Sequence, residues 1–536
     1  MHFDDIILRR MHNQTSLTPV GTVLRDALHN IATFDNIRQN TPSDQLIHVP
    51  DVGSEISVAY EQLRNASENI EDHLLFQRAI LRFFKRSVDL ESLNSQSNIG
   101  NELIIELTQA GYLENDSIDK SLAIEIDRLI NSLCPTYQAL IRHRSAPDKD
   151  AARWMLELMS VRTEQLFNHP IRTLSFAYLA HTHLTPLVDI RESLVEGESI
   201  TEEEYPKILY MTVHKALLKS DDANIRSALI DVYHVPLDNT EEFIKFNQRY
   251  DQLTKLKTTA AVARLINING APLRAIYSIF FKDGSGVKSV SQQNATLRAI
   301  EIQLDYDYQQ TKKNLRRGIT KSIIFLFMTK VFIGLAIEVP YDLIVYDKIL
   351  VLPLMLNLFA PPALLALNTL AVRLPSATNK KAVVDYISNM LYGNEPPRPL
   401  RKKKIDGSGV FSAVYVFIAF IIIGLFSYIL YRLDFNIVQG GIFFVFFSTA
   451  LFLGYRLSLQ VRELEIVRQD QGLLTLLRDF VYTPFIYIGR NISYRFSQLN
   501  IASQILDTLV ELPLKTFLKL VRQWISFLNS RKDDLL

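Results

Sequence analysis

The chain has 536 residues, with 58 Lys and Arg against 57 Asp and Glu. That balance excludes a global field favouring nucleic acid or anionic surfaces. A single cysteine, Cys134, excludes an internal disulfide and any multi-cysteine metal or iron–sulfur centre, and a lone thiol suits a reducing compartment.

Met1–Asn13 does not read as a signal peptide, because Asp4 and Asp5 precede only a short apolar run, Ile6–Leu8, before Arg9 and Arg10. Residues 1–286 predict an all-helical cytoplasmic domain, with a possible subdomain break at 196–201. In 54–88, Ile56, Tyr60, Leu63, Ile70, Leu74, Ile80, Leu81 and Phe84 recur at helical spacing among charges on the other face. Helix starts are signalled by Thr201 with Glu204 as a capping box, by Ser220 before Asp221-Asp222, and by Asp238 before Glu241-Glu242. The acidic run Glu202–Glu204 is read as a first helical turn.

All 11 histidines lie at or before His234. His181 and His183 are the leading metal candidates, with His169, Asp189 and His214 near them in sequence. Two residues apart on a helix, however, side chains point about 200° apart, so ordinary core or surface histidines are the preferred reading. No metal ligand, cofactor site or catalytic residue is assigned. The chain has no phosphate-binding Walker loop, dinucleotide glycine fingerprint, HExxH or GxSxG.

From Val287 one helix is expected to run into the membrane, about 75 Å long if it extends to 337. Val290, Leu297, Leu304, Tyr308 and Leu315 form a weak seven-residue stripe, but Asn294 and Glu301 occupy the other seam positions. A stalk packed on its own chain is therefore preferred to a coiled coil. The pentapeptide DGSGV occurs at Asp283–Val287 and at Asp406–Val410, where Ser285 and Ser408 or the aspartates are read as helix caps.

Four transmembrane helices are expected at 319–337, 349–372, 410–431 and 437–457, each of a length that suits a ~30 Å hydrocarbon core. Lys312, Lys313, Arg316 and Arg317 precede the first and Lys321 lies near its start, and Glu338, Asp342 and Asp347 fill the loop read after it. The loop 373–409 carries Arg373, Lys380, Lys381, Arg398, Arg401, Lys402, Lys403 and Lys404, and Arg456, Arg462 and Arg468 lie at and after the end of the fourth span. By the positive-inside rule this alternation puts both termini in the cytoplasm.

Lys330 falls near the middle of the first span, where an ionised lysine costs roughly 2.5–3.5 kcal/mol. The preferred reading lets the span run long, about 322–345, so that Lys330 reaches the cytoplasmic face. The functional alternative is a polar site with Asn357, Asn368 and Glu338. Pro353, Pro361 and Pro362 are expected to kink the second span.

Residues 458–536 are read as cytoplasmic amphipathic helices at the membrane interface. There Ile505, Leu509, Leu512, Phe517, Leu520, Val521, Trp524 and Leu528 share a face. Lys515, Lys519 and Arg522, like the basic groups at 312–317 and 401–404, are candidates for lipid headgroups.

Three stretches, AYEQLRNASENIEDHLLFQRAILRFFKR (59–86), EVPYDLIVYDKILVLPLMLNLFAPPALLAL (338–367) and ILDTLVELPLKTFLKLVRQWISFL (505–528), resemble an uncharacterised family of polytopic membrane proteins of candidate-phyla bacteria with small genomes. The resemblance implies a bacterial inner membrane and transfers no functional residue. The function expected is a non-enzymatic anchor for a large helical interaction domain. The alternatives are an oligomeric transporter or channel subunit around Lys330, and a lipid-modifying enzyme. The expected partners are the bilayer and a protein bound by the cytoplasmic domain, or a second copy of the chain. Nucleic acid is not expected.

Overall fold

The computed structural model describes residues 17–39, 46–49, 55, 57–58, 61, 65, 72–90, 98–143, 147–282, 290–370, 372, 374–393, 399–400, 408–467, 472–499, 520 and 524. Among these the chain is all-helical, and an antiparallel bridge between Leu46 and Asp119 stands outside any strand. The first DGSGV cap, Asp406 of the second, the Arg401–Lys404 cluster and the headgroup candidates Lys515, Lys519 and Arg522 lie outside the described residues, as do the side chains of Ser408 and Asn368.

The chain divides into two compact units, one from Asp26 to Ile266 and one joining Met1–Arg25 to Asn267–Leu499. The first division falls inside α1 (Pro19–Gln39).

The Asp26–Ile266 unit contains α2 (Leu75–Ser87), α3 (Ile99–Gln109), α4 (Lys120–His143), α5 (Asp148–Phe167), α6 (Ile171–Leu184), α7 (Tyr205–Val213), α8 (Asp222–Val232), α9 (Thr240–Lys255) and most of α10 (Lys257–Asn269). Ile80 and Phe84 of α2 are fully buried with Leu103, Ile126, Leu140, Met155 and Phe243, so the apolar stripe of 75–87 does face a core.

The capping box at Thr201 and Glu204 forms, on a short 3₁₀ turn, Glu202–Glu204, that leads into α7. The next two caps differ by one residue from the expected ones. Asp221, not Ser220, accepts from Asn224 N, and Asn239, not Asp238, accepts from Glu242 N. In each case the residue next to the helix has the extended backbone a cap requires.

The second unit contains α11 (Ala271–Ile276), the stalk α12 (Gln293–Ile333), α13 (Val339–Tyr346), α14 (Val351–Leu370), α15 (Ala377–Tyr392), α16 (Ser408–Arg432), α17 (Ile437–Arg462) and α18 (Leu473–Leu499). The stalk buries Ile300, Leu304, Tyr308 and Leu315 against its own chain. Asn379 on α15 donates to Tyr308 Oη (3.0 Å) and to the Leu464 carbonyl (2.9 Å), and accepts from the Ile466 and Val467 amides. One side chain thus ties the stalk, α15 and the segment after α17 together, with its hydrogen-bonding capacity used in full.

Among the described residues three helical segments, Gln293–Tyr346, Ala413–Arg432 and Ile437–Arg462, are long and apolar enough to cross a membrane, and Val351–Leu367 is a shorter apolar helix. Pro361 and Pro362 lie inside α14, which continues through both.

The expected loop Glu338–Lys348 is instead helical as far as Tyr346. The stalk passes through one π turn, Gly334–Glu338, into α13. Pro340 supplies the reason, since it has no N–H for the Ala336 carbonyl and its ring crowds that carbonyl, loosening the ladder just before it.

Candidate functional site

Lys330, Glu338, Asp342, Asn357 and Gln439 are all buried, Lys330 being 2% exposed and the other four 0%. In an unbroken α-helix, residues eight apart point about 80° away from each other. The π turn absorbs one extra residue, so Lys330 and Glu338 return to one face, and Asp342 follows one turn later on that face.

Lys330 Nζ lies 2.8 Å from Glu338 Oε1 and 4.6 Å over the ring of Phe446 on α17. The other carboxylate oxygen of Glu338 accepts from Asn357 Nδ2 of α14 at 2.8 Å. The same amide nitrogen reaches the Gln439 carbonyl of α17 at 3.3 Å, which fixes the orientation of the amide.

Asp342 is held differently. Its Oδ2 accepts from the Leu350 amide, immediately before α14, at 3.1 Å. It also accepts from Gln439 Nε2 at 2.8 Å, and Oδ1 accepts from Asn436 Nδ2 at 2.9 Å. Asn436 and Gln439 are the two members of the capping box that opens α17. One carboxylate therefore sits on the N-termini of two apolar helices, α14 and α17, each carrying roughly half a positive charge. The network is close to neutral: Lys330 balances Glu338, and the two helix ends balance Asp342. Asn357 Oδ1 is a buried oxygen of this network without a donor.

This corrects the expectation that Lys330 extends to the cytoplasmic face. The lysine turns inward because a carboxylate is available there, at far lower cost than an unpaired charge in hydrocarbon. Of the candidate polar residues, Lys330, Glu338 and Asn357 come together. Asp342, Asn436 and Gln439 were not singled out by sequence. Asp342 had been placed in an external loop, and the Asn436-x-x-Gln439 spacing before an apolar run is a capping box legible in sequence.

The basic residues Lys313, Arg316, Arg317 and Lys321 are exposed along the stalk, and Lys312 is half-buried. They share a level with the end of α17, since a Cβ at Gly318 would meet the Leu457 side chain at 2.9 Å.

In the Asp26–Ile266 unit the histidines are dispersed in the packing. His183 and His214 are buried, and burial lowers each from 6.5 to about 4. Burial also lowers His181, against a smaller opposing effect of the Pro206 carbonyl. The Tyr210 ring lies between His181 and His214, with centroids at 5.9 and 4.8 Å. Among the described residues no group of three His, Cys, Asp or Glu is placed to hold a metal ion.

A buried polar cluster of this unit centres on Arg226, a residue without a signal in the sequence reading. Its guanidinium donates to Asn247 Oδ1 and Asp251 Oδ1, both at 2.8 Å, and lies 4.7 Å over the Tyr250 ring. Asp251 also accepts from Arg153 at 2.8 Å. Its carboxyl is held below the usual range by these guanidinium partners, which outweigh its burial.

No family model, curated protein or solved structure matches the chain.

Proposed function

We propose that the chain is a multi-pass integral membrane protein, with four spans and both ends in the cytoplasm. Its membrane bundle anchors the helical unit at the inner face of the membrane, where that unit holds a protein partner. The spans are 319–346, 351–370, 410–431 and 437–457, the second reduced to a helix just long enough to reach across.

The observation that carries this reading is that the intramembrane charges are spent on one another. Lys330 is paired with Glu338, and Asp342 caps two helices, so the polar atoms act as fasteners between α12–α13, α14 and α17. Polar contacts between membrane helices serve such a purpose because hydrocarbon offers no competing partner. A transport site needs groups that exchange partners, whereas Asp342 is held by a backbone amide and the cap of α17, and Lys330 and Glu338 are closed on each other.

The test is ion flux. Full-length protein reconstituted into liposomes loaded with a pH-sensitive dye is given a proton or potassium gradient. An anchor leaves the decay of the gradient at the protein-free rate. Faster decay that disappears in Glu338→Gln would establish transport and overturn the reading.

A further inference from the structure

Helix α18 packs against the middles of two membrane helices. Its Phe485 ring is buried among Phe426 of α16 and Phe444 and Phe447 of α17, with centroids 5.0, 5.6 and 5.1 Å away. Gly489 is pressed onto α17 so closely that a Cβ would lie 2.2 Å from the Ser448 carbonyl oxygen. Phe480 meets Tyr415 of α16 at 5.6 Å. Ser448 and Phe426 lie well inside their apolar spans, so the middle of α18 shares their depth in the hydrocarbon.

The ends of the helix are unsuited to that depth. Arg478 and Asp479 precede the segment, and Arg490 and Arg495 follow it. The charge-free run Phe480–Gly489 covers only about 15 Å at 1.5 Å per residue, half of a ~30 Å core. Leu476, Leu477, Tyr487 and Tyr494 are exposed large side chains around it. Pro484 lies inside this helix and has no N–H for the Phe480 carbonyl, which makes it the point at which the helix can bend.

We propose that α18 is a re-entrant helix. It enters the bilayer from the cytoplasmic side, buries Phe480–Gly489 among the acyl chains of that leaflet, and returns to the same side. The basic residues fencing the segment assign the side, as do Arg456 and Arg462 at the end of α17 that leads into it. The proposal rests on the four-span reading above.

Because Cys134 is the only cysteine, single-cysteine variants in a Cys134→Ser background test it directly. Leu476→Cys, Tyr487→Cys, Tyr494→Cys and, as a marker of the α16 span, Phe420→Cys are treated with a membrane-impermeant maleimide in inside-out and right-side-out vesicles. The expected result is labelling at 476 and 494 in inside-out vesicles only, with 487 and 420 protected at least tenfold in both. Labelling of 476 and 494 from opposite sides, or from the outer side alone, would overturn the proposal, and so would reaction of 487 at the rate of 494. If 420 also labels freely, the membrane reading itself fails, a different result. Should Tyr487→Cys not fold, Val481→Cys serves in its place.

Discussion

The Lys330–Glu338 pair allows a prediction whose magnitude follows from burial. Lys330→Met leaves Glu338 with Asn357 alone, in a site closed to water on every described side. Glu338→Leu leaves Lys330 with the Phe446 ring and no anion. Breaking a buried pair by removing one partner costs about 3–5 kcal/mol, and scales for a lone lysine in a membrane give roughly 2.5–3.5 kcal/mol. Each single variant should therefore lose about 3 kcal/mol. The double variant removes both charges. It retains only the cost of the amide hydrogen bond lost at Asn357 Nδ2, which keeps the Gln439 carbonyl, so about 1–2 kcal/mol. The coupling energy is then about 4–5 kcal/mol, far above the 0.5 kcal/mol or so at which variants count as additive. Reversible unfolding of the full-length protein in bicelles, followed for the four members of the cycle, measures it. A double variant as unstable as the sum of the singles would refute the pairing.

Replacing Arg226 by Leu should cost the full chain about 3 kcal/mol in the transition reported by Trp154, because Asn247 loses its donor while Asp251 keeps Arg153; a change under 1 kcal/mol contradicts the cluster. Gly489→Ala should loosen α18 from α17, since the added carbon meets backbone, whereas Gly318→Ala should be nearly silent, since it meets only the movable end of Leu457; equal effects in a thermal-shift measurement would contradict this. Acid should weaken the Asp26–Ile266 unit. Between the folded values near 4 and the ordinary 6.5, His183 and His214 bind protons only when unfolded. Glu164, raised from 4.5 to about 7 by burial, binds one only when folded and opposes them. From about pH 6.5 down to 4.5 these three groups together contribute a loss of about 1.4 kcal/mol per unit, rising to about 2.7 in Glu164→Gln, as urea unfolding at several pH values would show; a slope that Glu164→Gln leaves unchanged contradicts the assignment.

The long stalk, the all-helical class and the apolar segments were legible because each depends on a periodic pattern or on length, which a chain displays without knowledge of its partners. The stripe through Leu304, Tyr308 and Leu315 named the buried face of the stalk, although not that Asn379 would lie across it. The two readings of the first span, ending at 337 or running long to about 345, divide on electrostatics, and the helix follows the longer one. Glu338, Asp342 and Asp347 look like an external loop when counted as charges, and only Asp347 ends the helix, in the left-handed backbone that closes α13.

What separates these three acids is partners supplied from elsewhere in the chain, a lysine two turns back for one and two helix N-termini for another. The sequence did hold two clues to this, Pro340 and the Asn436-x-x-Gln439 box. Pro340 forces the ladder to loosen, and the loosened turn brings Glu338 round to Lys330; the box then offers Asp342 the donors it needs. A charge inside a membrane segment is thus better read from the helix ends that can face it than from the loops on either side.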